Sequence, residues 1–187
     1  MILNNEIKFL CHFTNINNLE NILTFGLLSR TELLKQGIKF EYMDKNRFDN
    51  QLNLISFTYN KPNKEMLFYK LKKHKDYIII LIIDKEIIED NKTNSYFSWK
   101  NASSEEIRNI LKNKKEYLQT DYAYKKMINS FDKQKEILVE KKVPLNYVKQ
   151  IVTNNINTFD LVVYLLKKLS INIPVIINKD LFQGRED

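Results

Sequence analysis

The chain has 187 residues, 43% of them apolar, and a formal net charge of +7, which suits one domain over residues 1–187 with a proper core. Its single cysteine, Cys11, rules out a disulfide and a thiolate zinc cluster, and two histidines, His12 and His74, argue against a His-rich metal site. With only Gly26, Gly37 and Gly184 as glycines, neither a P-loop nor a GxGxxG dinucleotide fingerprint fits, so any nucleotide is held by another architecture.

At the start of the sequence, MILNNEIKFL does not read as a signal peptide, since Glu6 interrupts it and no small-residue cleavage site follows. No apolar run approaches the ~20 residues that cross a bilayer. A cytoplasmic location is the expectation. KFLCHFTN, residues 8–15, reads as a strand leading into a short helix. Asn17 and Glu20 have capping-box spacing, Leu19, Ile22 and Leu23 make the apolar face, and Gly26 ends the helix. LNLISFTY at 52–59 and YIIILII at 77–83 are predicted strands, the second buried on both faces. Helical spacing of Ile107, Ile110, Leu111, Tyr117 and Leu118 predicts helix from Ser104 to about Ser130. KEILVE at 135–140 and YVKQIVT at 147–153 are predicted strands around Pro144. An amphipathic helix over Phe159–Leu169 and a last strand, IPVII at 173–177, complete an α+β order without regular βαβ alternation.

Several residues have two readings on pattern alone. Side chains alternate along a strand, so Glu136, Leu138 and Glu140 share one face. Glu136 is either a solvated charge on an edge strand, among Lys133, Lys135 and Lys141, or a carboxylate facing a cleft. Arg47, one of four arginines, is either a surface residue or a planar fork for phosphate. His12 is either a satisfied core histidine or a site residue. Tyr59, Met66, Phe68 and Tyr69 either fill core or stack a base. The excess of lysine suits a polyanionic partner, and it equally suits the Lys-, Asn- and Ile-rich bias of low-GC coding.

In order, the segments resemble the DarT-type ADP-ribosyltransferases, toxins that transfer ADP-ribose from NAD to a DNA base. CHFTNINNLENILTFGLLSR at 11–30 is similar to the family's His-x-Thr, Asn-Leu-x-x-Ile-Leu and glycine opening. YMDKNR places Arg47 where the family has its NAD-contacting arginine, and ISFTYNKPNKEMLFYKL at 55–71 resembles the Pro-Asn…Met-x-Phe-Tyr segment. YFSWKNASS at 96–104 is similar to a later Asn-Ala motif. DKQKEILVEKKVPLNYVKQIV at 132–152 resembles the Gln-x-Glu block, whose glutamate is catalytic.

This resemblance implies an ADP-ribosyltransferase-like fold with a central split β-sheet flanked by helices. It implies NAD as co-substrate, no metal, single-stranded DNA as acceptor, and a macrodomain antitoxin that reverses the mark in a bacterial or phage setting. Residue by residue, it implies catalytic roles for Glu136 and Arg47, and NAD contacts from His12, Thr14, Asn15, Leu19, Arg47, Met66 and Tyr69. Lys61, Asn63, Asn101 and Lys133 would meet nucleic acid. The Pro62-Asn63…Met66 spacing and the Asn101-Ala102 pair resemble the guanine-modifying branch more than the thymine-modifying one. The alternatives are the same fold acting on RNA or protein, and a catalytically inactive nucleic-acid-binding module.

Overall fold

The computed structural model describes residues 6–43, 51–74 and 77–182. Among the described residues, nine strands and six α-helices form a mixed α+β structure, in keeping with the expected fold class. In chain order these are β1 (Phe9–Asn15), α1 (Leu19–Phe25), β2 (Leu27–Leu28), α2 (Arg30–Lys35), β3 (Leu54–Tyr59), α3 (Lys64–His74) and β4 (Ile78–Asp84). They continue with β5 (Ser95–Ser98), α4 (Glu105–Asn113), α5 (Asp121–Ile128), β6 (Glu136–Glu140), β7 (Lys142–Val143), β8 (Val148–Thr153), α6 (Ile156–Lys168) and β9 (Val175–Ile177).

Seven strands make one sheet in the order β5-β6-β3-β1-β4-β8-β9, and β2 pairs with β7 apart from it. At its centre β4 is buried on both faces, as its unbroken apolar run predicts. Ile79, Leu81 and Ile83 join a large core with Leu19, Leu23, Ile151, Val162 and Leu166 from α1, β8 and α6. Ile78 and Ile80 point the other way, onto Leu67 of α3, Val152 and Phe182. Full burial of each such side chain contributes about 1.5–3 kcal/mol.

The sheet is split where β1 meets β3. The two strands pair only at Leu10–Tyr59 and Cys11–Thr58. Beyond that point β1 continues with β4 as far as Asn15–Ile78, while β3 continues with β6 from Phe57–Ile137 to Leu54–Glu140. Backbone groups facing the gap must find other partners. One is found by the His12 ring, whose Nδ1 lies 3.0 Å from the Ser56 carbonyl oxygen.

Local expectations changed in three places. Asn15, not Asn17, caps the first helical turn, its side chain accepting from the Asn17 backbone N–H, so the Asn17–Glu20 capping box does not form. Gly26 does end α1, at φ +83°, and a Cβ there would meet the Val143 carbonyl oxygen of β7 at 2.8 Å. The long helix expected over 104–130 is broken into α4, a 3₁₀ turn at Lys115–Gln119, and α5. Thr120 is extended and caps α5 by accepting from the Ala123 N–H, so one apolar period spans two helices. Finally, β6 lies between β5 and β3 as an interior strand, not an edge.

Candidate active site

The split opens onto a cavity of about 480 Å³, a volume that suits a dinucleotide-sized ligand. One wall is β1 from Cys11 to Thr14, and the opposite wall is β3 from Leu54 to Thr58. The cavity therefore follows from the strand register: where β1 and β3 stop pairing, their side chains line a gap.

Glu136 opens β6 and faces this gap. It is 7% exposed although β6 begins beside the polar turn at 132–135. On its β5 side it pairs with Ser98. Three residues past the end of β5, Asn101 turns back on itself. Its Oδ1 accepts from the Ser103 N–H at 2.8 Å and from the Ser103 hydroxyl, which fixes the carboxamide so that Nδ2 donates to Glu136 Oε1 at 3.3 Å. A carboxylate in such a position has few waters to screen it, so its field acts strongly on charge within the cavity.

The turn before Glu136 is pinned as well. Lys135 Nζ donates to the carbonyls of Ile128 and Ser130 at 3.0 and 2.8 Å, and its burial holds its pKa below the ordinary lysine value. Gln134, a cavity residue, donates its Nε2 to Glu65 of α3 at 3.3 Å. Glu140, on the same face as Glu136, lies apart from the cavity lining. It accepts from Asn53 and Asn94 and from the Tyr96 hydroxyl, with Lys115 3.7 Å away. Burial alone would raise its pKa. The Asn94 hydrogen bond and the Lys115 charge outweigh that and hold it below the usual carboxylate range.

The far wall is a strap, residues 38–43, tied down by two asparagines of the first helical segment. Asn18 donates Nδ2 to the Glu41 carbonyl at 2.9 Å and accepts from the Glu41 N–H at 2.7 Å. The same Nδ2 reaches Thr14 Oγ1 at 3.1 Å, joining the strap to β1. Asn21 donates to the Lys39 carbonyl at 2.8 Å, and the Arg30 guanidinium lies 5.2 Å over the Tyr42 ring.

Of the residues singled out in sequence, the cavity gathers His12, Thr14, Asn63, Met66, Asn101 and Glu136. Others lie elsewhere. Leu19 is fully buried in the core, and Asn15 is taken up in capping, so neither lines the cavity. Tyr69 is 69% exposed on α3, and Lys61 and Lys133 are exposed outside the lining. Arg47 lies outside the described residues. Asn63 also has a local task, since its Oδ1 accepts from the Met66 N–H and caps the start of α3. Sequence reasoning missed Asn18, Asn21, Arg30 and Gln134 as lining residues. Only Gln134 carried a signal, in the Gln-x-Glu motif that puts it on the face of Glu136.

Cys11 lies in the cavity wall but is 4% exposed, and burial pushes its thiol up to about 12. Because the thiolate is the reacting form, native protein at about pH 8 is expected to alkylate slowly, and denatured protein readily. Equal alkylation rates in the native and denatured states would contradict this placement.

A buried carboxylate at the open end of a split sheet, in a cavity of dinucleotide size, defines the class as an ADP-ribosyltransferase-like fold. The DarT family model, described as ssDNA thymidine ADP-ribosyltransferase, matches residues 11–183, and the chain belongs to this family. Its solved relatives share the fold. Thermus sp. 2.9 DarT in complex with NAD+ is 18% identical with a TM-score of 0.67, covering 97% of this chain and 100% of that one. The same Thermus protein in complex with ADP-ribosylated ssDNA gives 16% identity and a TM-score of 0.70, covering 97% and 99%. Thermosipho africanus DarTG in complex with ADP-ribose is 22% identical with a TM-score of 0.65, covering 94% of this chain and 51% of that one. No curated protein matches the sequence significantly.

The expected enzyme class, DarT-type ADP-ribosyltransferase, is borne out by this membership. The expected preference for guanine is not supported, since the family description names thymidine. Among the described residues no helix is long and apolar enough to cross a membrane, and no group of three or more His, Cys, Asp or Glu is placed to hold a metal ion.

Proposed function

We propose that the chain transfers ADP-ribose from NAD to a base of single-stranded DNA, with Glu136 as the catalytic carboxylate. The observation that carries this reading is the burial of Glu136 at the mouth of β6, oriented by Asn101, in a cavity shared with His12, Thr14 and Met66. NAD supplies a ribose whose bond to nicotinamide breaks, leaving neutral nicotinamide and positive charge at the ribose carbon. Glu136 stabilises that charge, and the bond to the acceptor base forms as the base nitrogen gives up its proton to the Glu136 carboxylate.

His12 suits the recognition of ligand hydroxyls. Its Nδ1 must carry a proton to donate to the Ser56 carbonyl, which orients the ring; in the neutral imidazole Nε2 is then the acceptor. Thr14 and the strap at 40–43 suit the nucleoside end, and Met66 the nicotinamide or the acceptor base. Arg47 remains the proposed phosphate-binding residue, on the family resemblance and the geometry of guanidinium.

For the acceptor base we take thymidine, which the family description supports, over the guanine that the Pro62-Asn63…Met66 spacing suggested. A macrodomain hydrolase as antitoxin is proposed on the same resemblance. The test is incubation with NAD and single-stranded oligonucleotides carrying one thymine or one guanine in an otherwise inert background. Nicotinamide release with an ADP-ribose mass increment on the thymine strand is expected. An increment confined to guanine would reverse the choice of base. Modification of RNA or protein with none on DNA would sink the reading.

A further inference from the structure

The outward flank of α3 carries features that the cavity does not use. The helix is held down by Leu67 and Leu71, packed among Cys11, Ile78, Ile80, Val152 and Phe182. At about 100° per residue, Asn63, Met66 and Lys70 then fall on the side that lines the cavity. Next round the helix from Met66 come Tyr69 and then Glu65, and the Glu65 carboxylate accepts from the cavity residue Gln134. Tyr69 thus stands at the cavity rim, between two residues that reach the cavity or its lining, with 69% of its surface in solvent. Phe68, 39% exposed, meets the Tyr69 ring edge-on with centroids 6.0 Å apart, and Lys72 Nζ lies 4.4 Å over Phe68.

The charge around these rings is one-sided. Residues 61–72 contain four lysines and one acid, Glu65, and Lys61, Lys64 and Lys72 are exposed. The aromatic surface around Trp99 differs. There Trp99 is buried beneath Lys126, and Lys100 and Lys126 are already paired with Glu106, at 2.8 and 3.5 Å. On α3, exposed rings and an excess of positive charge come together beside the residues that line the cavity. Rings that offer a face to any base, with lysines along a backbone, are the means by which proteins hold unpaired strands without reading sequence.

We propose that this flank of α3, Tyr69 with the Phe68–Lys72 pair behind it, seats the nucleotides of the single strand next to the acceptor base. The assignment rests on the DNA ADP-ribosyltransferase reading above. It moves Tyr69 from the NAD side, where family resemblance put it, to the strand side.

The test uses fluorescence anisotropy of a labelled single strand of about 12 nucleotides, within the usual length such surfaces cover, in a Glu136→Gln background that prevents turnover. Tyr69→Ala is expected to weaken binding about tenfold, while Tyr69→Phe, which keeps the ring, binds as the parent does. Lys64→Gln with Lys72→Gln should flatten the dependence of log affinity on log salt by about 0.7 for each lysine removed. In the active enzyme, Tyr69→Ala should raise KM for the oligonucleotide. Unchanged strand affinity in Tyr69→Ala, or a rise in KM for NAD in place of the oligonucleotide, overturns the assignment. If the unmodified enzyme transfers to no DNA at all, the function itself fails and the inference falls with it, a result seen before any variant is made.

Discussion

Glu136→Gln is expected to lower ADP-ribosyl transfer by about 10²–10⁴-fold, the range for loss of a positioned charge or general base, without unfolding the protein. The substitution is nearly isosteric. Its remaining oxygen can still accept from Asn101 Nδ2, so the geometry of the turn at 101–103 is kept while the negative charge is lost. Burial makes the comparison sharp, because a 7% exposed carboxylate costs desolvation in the folded state. The melting temperature is expected to stay within a few degrees of the parent's, which would separate a loss of turnover from a loss of fold. The measurement is single-turnover transfer to a thymine-bearing strand, paired with thermal unfolding of both proteins. Turnover within a few-fold of the parent would remove Glu136 from the catalytic role, and Glu140, already held by Asn53, Asn94 and Tyr96, would not replace it.

The same residue marks the limit of what pattern can tell. Alternation along KEILVE gave the faces of β6 correctly, but faces are local and neighbours are not. Whether β6 is an edge depends on β5, some 40 residues upstream, and SYFS is too short and too plain a segment to announce itself as a strand. β4 was legible because six apolar residues in a row, bounded at strand length by Asp84, read as a strand buried on both faces. The helix α3 was not foreseen, since its buried stripe is only Leu67 and Leu71, while Met66 faces the cavity and Phe68 and Tyr69 face solvent. In the site, the collinear motifs led to His12, Met66, Asn101 and Glu136, which do share a cavity. The same motifs also led to Leu19 and Asn15. Motif membership does not separate a residue that faces the gap from one that holds up the wall behind it.

That distinction gives Asn18 the second large effect. It lines the cavity, yet its carboxamide is occupied with the strap: Oδ1 takes the Glu41 N–H, and Nδ2 gives to the Glu41 carbonyl and to Thr14. One side chain therefore does what a neighbouring strand would do for that segment, and no other residue type offers both donor and acceptor at this length. Asn18→Ala removes three hydrogen bonds worth about 0.5–1.5 kcal/mol each, so a loss of about 2 kcal/mol and a fall in melting temperature of about 5 °C are expected. Asn18→Asp should be worse than Asn18→Ala. It can still accept from the Glu41 N–H, but it sets a buried negative charge against the Glu41 carbonyl oxygen. Asn21→Ala, which frees only the Lys39 carbonyl, should cost far less. The strap forms one wall of the proposed NAD pocket, and in sequence it runs directly toward Arg47. Loosening it should therefore raise KM for NAD about tenfold while kcat for transfer falls less. Steady-state kinetics on the three variants separates these effects. An Asn18→Ala enzyme with the parent's KM for NAD and a reduced kcat would mean that the strap positions the acceptor and not the dinucleotide.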